Sequence, residues 1–170
     1  SDAGLLRVDN RDQTYHLGFR LFEMAHRVWD QFDLRSAAEP ELTRLRDLGF
    51  SWFHYAPKAD AYLRRRWREP HPGTTVAELA DLSSHCRRLG MRFGVGLSPY
   101  ELYRDFSSSA KADFLAKIRA LDEIGMDDLA ILFDDTRGDV PDLAAREAEI
   151  VHTALDASHA SRVVMCPTYY

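Results

Sequence analysis

Residues 121–139, LDEIGMDDLAILFDDTRGD, decide how the chain is read. A helical segment closes on Gly125, a short apolar run follows, and Asp134 and Asp135 come directly after it. Glycine ends a helix cheaply because it accepts the left-handed backbone conformation. A short apolar run behind such a stop suits a strand buried on both faces, as parallel sheets require. The same grammar occurs twice upstream, in LRDLGFSWFHYAP (45–57) around Gly49 and in CRRLGMRFGVGLSP (86–99) around Gly90. A fourth run, RVVMCPT (162–168), follows the helical stretch 142–157.

The segments between these runs have helical spacing. Val76, Leu79, Ala80, Leu82, Cys86 and Leu89 form one stripe; Phe114, Leu115, Ile118 and Leu121 form another. Strand, helix and strand in alternation imply an α/β fold of parallel βα units with right-handed crossovers. The expected strands lie near 51–56, 92–97, 129–133 and 162–166. Residues 36–170 therefore read as βα units, and residues 1–35 as a segment of its own. Within that segment Leu17, Leu21, Met24, Ala25, Val28 and Phe32 share one helical face, which predicts an amphipathic helix over 17–32. A strand near 15–22 is the alternative.

Composition narrows the function classes. Hydrophobic residues make up 45% of the 170, and mean hydropathy is −0.37, as in ordinary globular proteins. No apolar run approaches the roughly 18 residues of a membrane span, and no leader opens the chain, so a soluble, cytoplasmic protein is expected. A net charge of −5 argues against nucleic acid as a partner. The basic run RRRWRE (64–69) reads as a solvated face. Cys86 and Cys166 are too few and too far apart for a disulfide scaffold or a zinc site. No cofactor is expected.

In parallel α/β folds, ligands bind at the C-terminal ends of the strands. Those ends carry Pro57-Lys58, Ser98-Pro99-Tyr100, Asp134-Asp135 and Pro167-Thr168-Tyr169-Tyr170. An acidic pair after an apolar strand also occurs in nucleotide hydrolases, but the phosphate loop they need is missing here. A divalent-metal site would use both carboxylates; no third acid stands out at a neighbouring strand end, although Asp60 and Glu101 lie close to such ends in sequence. Helix capping needs neither, since Asp139 and Asp142, beside Pro141, serve the next helix. General acid/base work on a glycosidic bond needs one protonated and one ionised carboxyl, which proximity and burial can provide.

The motifs HYAPKADAYLRRRWREPHP (54–72), LSP (97–99), LAILFDD (129–135) and CPTYY (166–170) occur in the order seen in family 84 glycoside hydrolases, the β-N-acetylglucosaminidases that include protein O-GlcNAcases. The resemblance covers roughly residues 45 to 170. It implies a (β/α)8 TIM barrel, here incomplete, and substrate-assisted retaining catalysis through an oxazoline on N-acetylglucosamine-bearing glycans or glycoproteins; the bias of 19 Arg to 3 Lys suggests a GC-rich, bacterial source. The resemblance further implies Asp134 as the residue that polarises the acetamido group and Asp135 as the general acid/base. Lys58 matches a sugar-hydroxyl ligand, Tyr170 and Cys166 match the wall of the acetamido pocket, and Gly18 matches a backbone contact to the sugar; no metal takes part. The chain differs from the family pattern at Ala59, where an acid is usual, at Tyr100, where a glycine is usual, and at Tyr169, where a glutamate is usual. In LGFRLFE (17–23) only Gly18-Phe19 of the family's opening motif is kept. An incomplete barrel exposes a sheet edge, so self-association through that edge is an expectation. The alternative function is a non-catalytic or truncated relative that binds carbohydrate.

Overall fold

The computed structural model describes residues 6–9, 14–17, 34–133 and 137–169, with the backbone alone for those up to 37. Two compact units divide at Ala37/Ala38. In the first, β1 (Leu6–Asp9) and β2 (Thr14–Leu17) pair antiparallel, Leu6 opposite Leu17 and Asp9 opposite Thr14. The helix read over 17–32 falls on residues outside the described ones, apart from Leu17, the last residue of β2.

The second unit alternates strands and helices. Helix α1 (Leu34–Asp47) leads into β3 (Trp52–Tyr55); α2 (Gly73–Arg88) into β4 (Arg92–Leu97); α3 (Ser108–Asp122) into β5 (Asp128–Leu132); α4 (Leu143–Ala157) into β6 (Arg162–Cys166). The four strands form one parallel sheet in the order β3-β4-β5-β6. The glycine stops work as the sequence implies: Gly49, Gly90 and Gly125 have φ of 93°, 69° and 78°. Behind Gly49, the Phe50 N–H reaches the Leu45 carbonyl at 3.0 Å; behind Gly90, the Met91 N–H reaches the Cys86 carbonyl at 2.9 Å. These are the bonds that close a helix and release the chain into the next strand.

Register sorts the strand residues onto two faces. One carries Phe53 and Tyr55, Phe93, Val95 and Leu97, Leu129, Ile131 and Phe133; all of these on β4, β5 and the residue after β5 are buried. They share the core with Leu79, Leu82 and Cys86 of α2, Phe114, Ile118 and Leu121 of α3, and Ile150 and Ala154 of α4. The other face carries small residues in the middle, Gly94, Gly96 and Ala130. A Cβ on Gly94 would lie 2.2 Å from the His54 ring, and one on Gly96 would lie 2.6 Å from the Ala56 Cβ, so neither position has room for a side chain.

The N-terminal ends of the strands on this second face are tied by charge. Asp128, fully buried, accepts from Arg92 Nε at 2.9 Å and from Arg162 Nε at 2.9 Å. Burial works against ionisation of Asp128, but the bonds from Arg92 and Arg162 outweigh it and hold its carboxyl below the usual range. Arg162 also lies over the Trp52 ring, 4.9 Å from its centroid. A charged plug at this end of a parallel sheet serves stability and leaves the opposite rim for chemistry.

One capping expectation is corrected. Asp142 is the first residue of α4's cap, but its backbone is left-handed at φ 56° and its carboxylate makes no capping bond. Asp139 is drawn to Arg137 instead, at 3.0 Å from Arg137 Nε. The basic run is a solvated face in part: Arg65, Arg66, Arg68 and Glu69 are exposed, whereas Arg64 is half-buried and Trp67 fully buried. Among the described residues no helix is long and apolar enough to cross a membrane.

Candidate functional site

Of the residues singled out from sequence, Lys58 and Cys166 are described; Gly18, Asp134, Asp135 and Tyr170 lie outside the described residues. Lys58 is exposed, in the turn after β3 that the Asp60 N–H closes on the Pro57 carbonyl at 3.0 Å. Cys166 is the last residue of β6 and is half-buried. Both stand at C-terminal strand ends, on the two outer strands of the sheet. The strand that leads into Asp134 runs between β4 and β6, next to the strand that ends at Cys166.

A continuous set of bonds stitches the rim from β3 to β6. The Ser98 N–H donates to the Leu63 carbonyl at 2.8 Å, and Trp67 Nε1 donates to the Tyr100 carbonyl at 3.2 Å, which joins the β3 and β4 loops. Tyr103, buried in the β4 loop, accepts from the Arg137 N–H at 3.3 Å and so reaches the loop beyond Asp134-Thr136. The Phe133 N–H donates to the Cys166 carbonyl at 2.9 Å. The Thr168 hydroxyl lies within hydrogen-bond reach of the Phe133 carbonyl, at 3.2 Å, and of the buried Glu147 carboxyl of α4, and donates its one proton to either. The Tyr169 ring packs so closely on Gly138 that a Cβ there would collide with its hydroxyl. Phe133 and Arg137-Gly138, the described residues on either side of 134–136, are thus each bonded or packed to the rim.

The rim also stores strain. Glu101 (φ 60°) and Asp142 (φ 56°) are the two non-glycine residues with positive φ among the described ones, and both lie in loops at strand C-termini. Such backbone clusters at functional sites. Arg64, Ser98, Pro99, Tyr100, Tyr103 and Leu132 line a depression of about 20 Å³, room for a water and not for a sugar ring. Tyr100, where the family pattern has glycine, is 45% exposed beside the Arg65 guanidinium.

Asp60 and Glu101, the acids close in sequence to the neighbouring strand ends, are both committed elsewhere. Asp60 accepts from Tyr55 OH at 3.2 Å, from the Tyr62 N–H at 2.9 Å and from His71 at 3.1 Å. Burial opposes its ionisation, but these bonds, His71 foremost, hold its carboxyl below the usual range. Burial and Asp60 together push the Tyr55 phenol well above its ordinary value. Glu101 pairs with Arg104 at 3.3 Å. Among the described residues no group of three His, Cys, Asp or Glu side chains could hold a metal ion.

Sequence reasoning missed the Tyr55-Asp60-His71 cluster and its buried neighbour Lys117. A signal was present for Lys117: it falls three residues after Phe114 and four before Leu121, inside an apolar helical stripe. Nothing in sequence pointed to Thr168 and Glu147 as supports of the Phe133 carbonyl.

A family model described as beta-N-acetylglucosaminidase matches residues 39–170. The chain belongs to that family. Among solved structures, a point mutant of the Thermobaculum terrenum O-GlcNAc hydrolase matches with a TM-score of 0.71 and 23% identity, over 80% of this chain and 32% of its own. CpGH84B matches with a TM-score of 0.69 and 23% identity, over 80% of this chain and 25% of its own. The chain thus spans about a third or less of the length of these relatives. At that identity the likeness concerns the fold: the four parallel βα units of this β-N-acetylglucosaminidase family member correspond to an incomplete (β/α)8 barrel.

Proposed function

We propose that this β-N-acetylglucosaminidase family member removes terminal β-linked N-acetylglucosamine from a glycan or glycoprotein by substrate-assisted, retaining catalysis. The observation that carries the reading is the family match across 39–170 with the acidic pair directly after an inner strand of the sheet.

In this mechanism the acetamido oxygen of the substrate attacks its own anomeric carbon. The developing oxazolinium is positive, so an ionised Asp134 beside the acetamido N–H stabilises it. Asp135 gives a proton to the departing oxygen and then takes one from the water that opens the oxazoline. Lys58 donates to sugar hydroxyls, while Cys166 and Tyr170 contribute to the acetamido contacts. The outer edges of β3 and β6 are where further strands or a second copy would pair.

The test is hydrolysis of an aryl β-N-acetylglucosaminide by the wild type, Asp134→Ala and Asp135→Ala. Both variants should lose on the order of a hundredfold or more in kcat/KM. Full activity in both would sink the mechanism. Binding of an oxazoline mimic by a wild type that never turns over would instead identify a carbohydrate-binding relative.

A further inference from the structure

Beneath the loop that carries Lys58 runs a buried polar chain for which the sugar chemistry has no direct use. Lys117 on α3 is 4% exposed. Its ammonium donates to the Glu69 carbonyl at 3.1 Å and faces His71 Nδ1 at 3.4 Å. His71, also buried, faces Asp60 Oδ2 through Nε2 at 3.1 Å. Asp60 takes two more bonds, from Tyr55 OH and the Tyr62 N–H, and its own N–H closes the turn on Pro57.

The bonds fix the protons. An ionised carboxylate only accepts, so His71 presents Nε2–H to Asp60 and leaves Nδ1 as the acceptor for Lys117. Every donor then points one way, from α3 to Asp60. Asp60 ends the four-residue turn Pro57–Asp60, and Lys58 occupies its second position. A helix of the following βα unit thereby grips the loop of the preceding one. Apolar side chains could fill this volume without the cost of burying a lysine. Directionality is what they could not supply.

We propose that Lys117, His71 and Asp60 form a positioning relay that locks the Pro57–Asp60 turn and so aims Lys58 at a sugar hydroxyl. The aim at a sugar rests on the function proposed above; the lock on the turn rests on the geometry alone. None of the three touches substrate. They act through Lys58, and small errors in such placement are costly to binding.

Two measurements on the whole protein decide it. The first is amide hydrogen exchange in Lys117→Met, which keeps bulk and removes the donor. Protection at the Asp60 and Tyr62 amides should fall about tenfold or more, while that at Phe93 and Val95 of β4 stays as in wild type. Unchanged protection at Asp60 and Tyr62, or an equal loss at β4, overturns the relay. The second is a double-mutant cycle on affinity for an oxazoline mimic. Lys117→Met and Lys58→Ala should each weaken binding, and the double variant should be no weaker than Lys58→Ala alone. Additive losses overturn action through Lys58. A wild type that does not bind the mimic overturns the sugar reading alone, and the exchange result then judges the lock on the turn.

Discussion

Lys117 offers a sharp thermodynamic test, because burial pushes its ammonium down to about 8 from an ordinary 10.5. The unfolded chain keeps that proton up to 10.5, whereas the folded chain releases it near 8. Between those values the unfolded state binds more protons, so stability rises with pH. The contribution is complete above 10.5 and is lost as pH falls through about 8. At about 1.4 kcal/mol per pH unit the whole window is worth ~3 kcal/mol. A move from about pH 7 to about pH 9.5 crosses somewhat more than half of it, or ~2 kcal/mol. Urea unfolding of wild type and Lys117→Met at the two pH values isolates the effect, since other groups titrate alike in both. The wild type should gain ~2 kcal/mol on the variant over that range. Parallel pH profiles would show that Lys117 is not held in a desolvated site, and the relay would lose its anchor.

Other perturbations follow from the packing. Asp128→Asn removes the shared partner of Arg92 and Arg162 and should cost about 2–3 kcal/mol at neutral pH by chemical denaturation. Because the Asp128 carboxyl is held below its usual range, the wild type's advantage should also shrink as the solution is acidified towards the Asp128 titration. Gly96→Ala drives a Cβ against Ala56 and Leu132 and should cost about 1–3 kcal/mol, read as a lower thermal midpoint. Trp67→Phe keeps most of the packing on Phe114 but drops the bond to the Tyr100 carbonyl, about 1 kcal/mol, and faster amide exchange should appear in the β4 loop first.

The strand-helix alternation was legible because its punctuation is local. A left-handed residue after a helix calls for glycine, and Gly49, Gly90 and Gly125 announce three of the turns that release a strand. The apolar runs then locate β3 to β6 within a residue or two. Asp128 shows where this reading stops: the apolar run suggests a strand from 129, but pairing with Arg162 draws the charged residue into β5. Asp142 failed as a side-chain cap because the chain enters α4 through a left-handed residue and Asp139 finds Arg137 nearer. For the site, Lys58 and Cys166 could be named from motif order, and both stand at strand C-termini. The supports behind them, His71 and Lys117 from 46 residues apart, meet only through the packing of α3, which no local pattern encodes.

Substrate-assisted attack by the acetamido oxygen is the central claim, and it responds directly to the nucleophilicity of that oxygen. The decisive measurement is kcat/KM for aryl β-glucosaminides whose N-acetyl group carries zero, one, two or three fluorines. Each fluorine withdraws electron density from the oxygen, so the rate should fall steeply across the series, by orders of magnitude in all. Equal rates along the series would mean that the acetamido group is not the nucleophile and would contradict the roles given to Asp134 and Asp135.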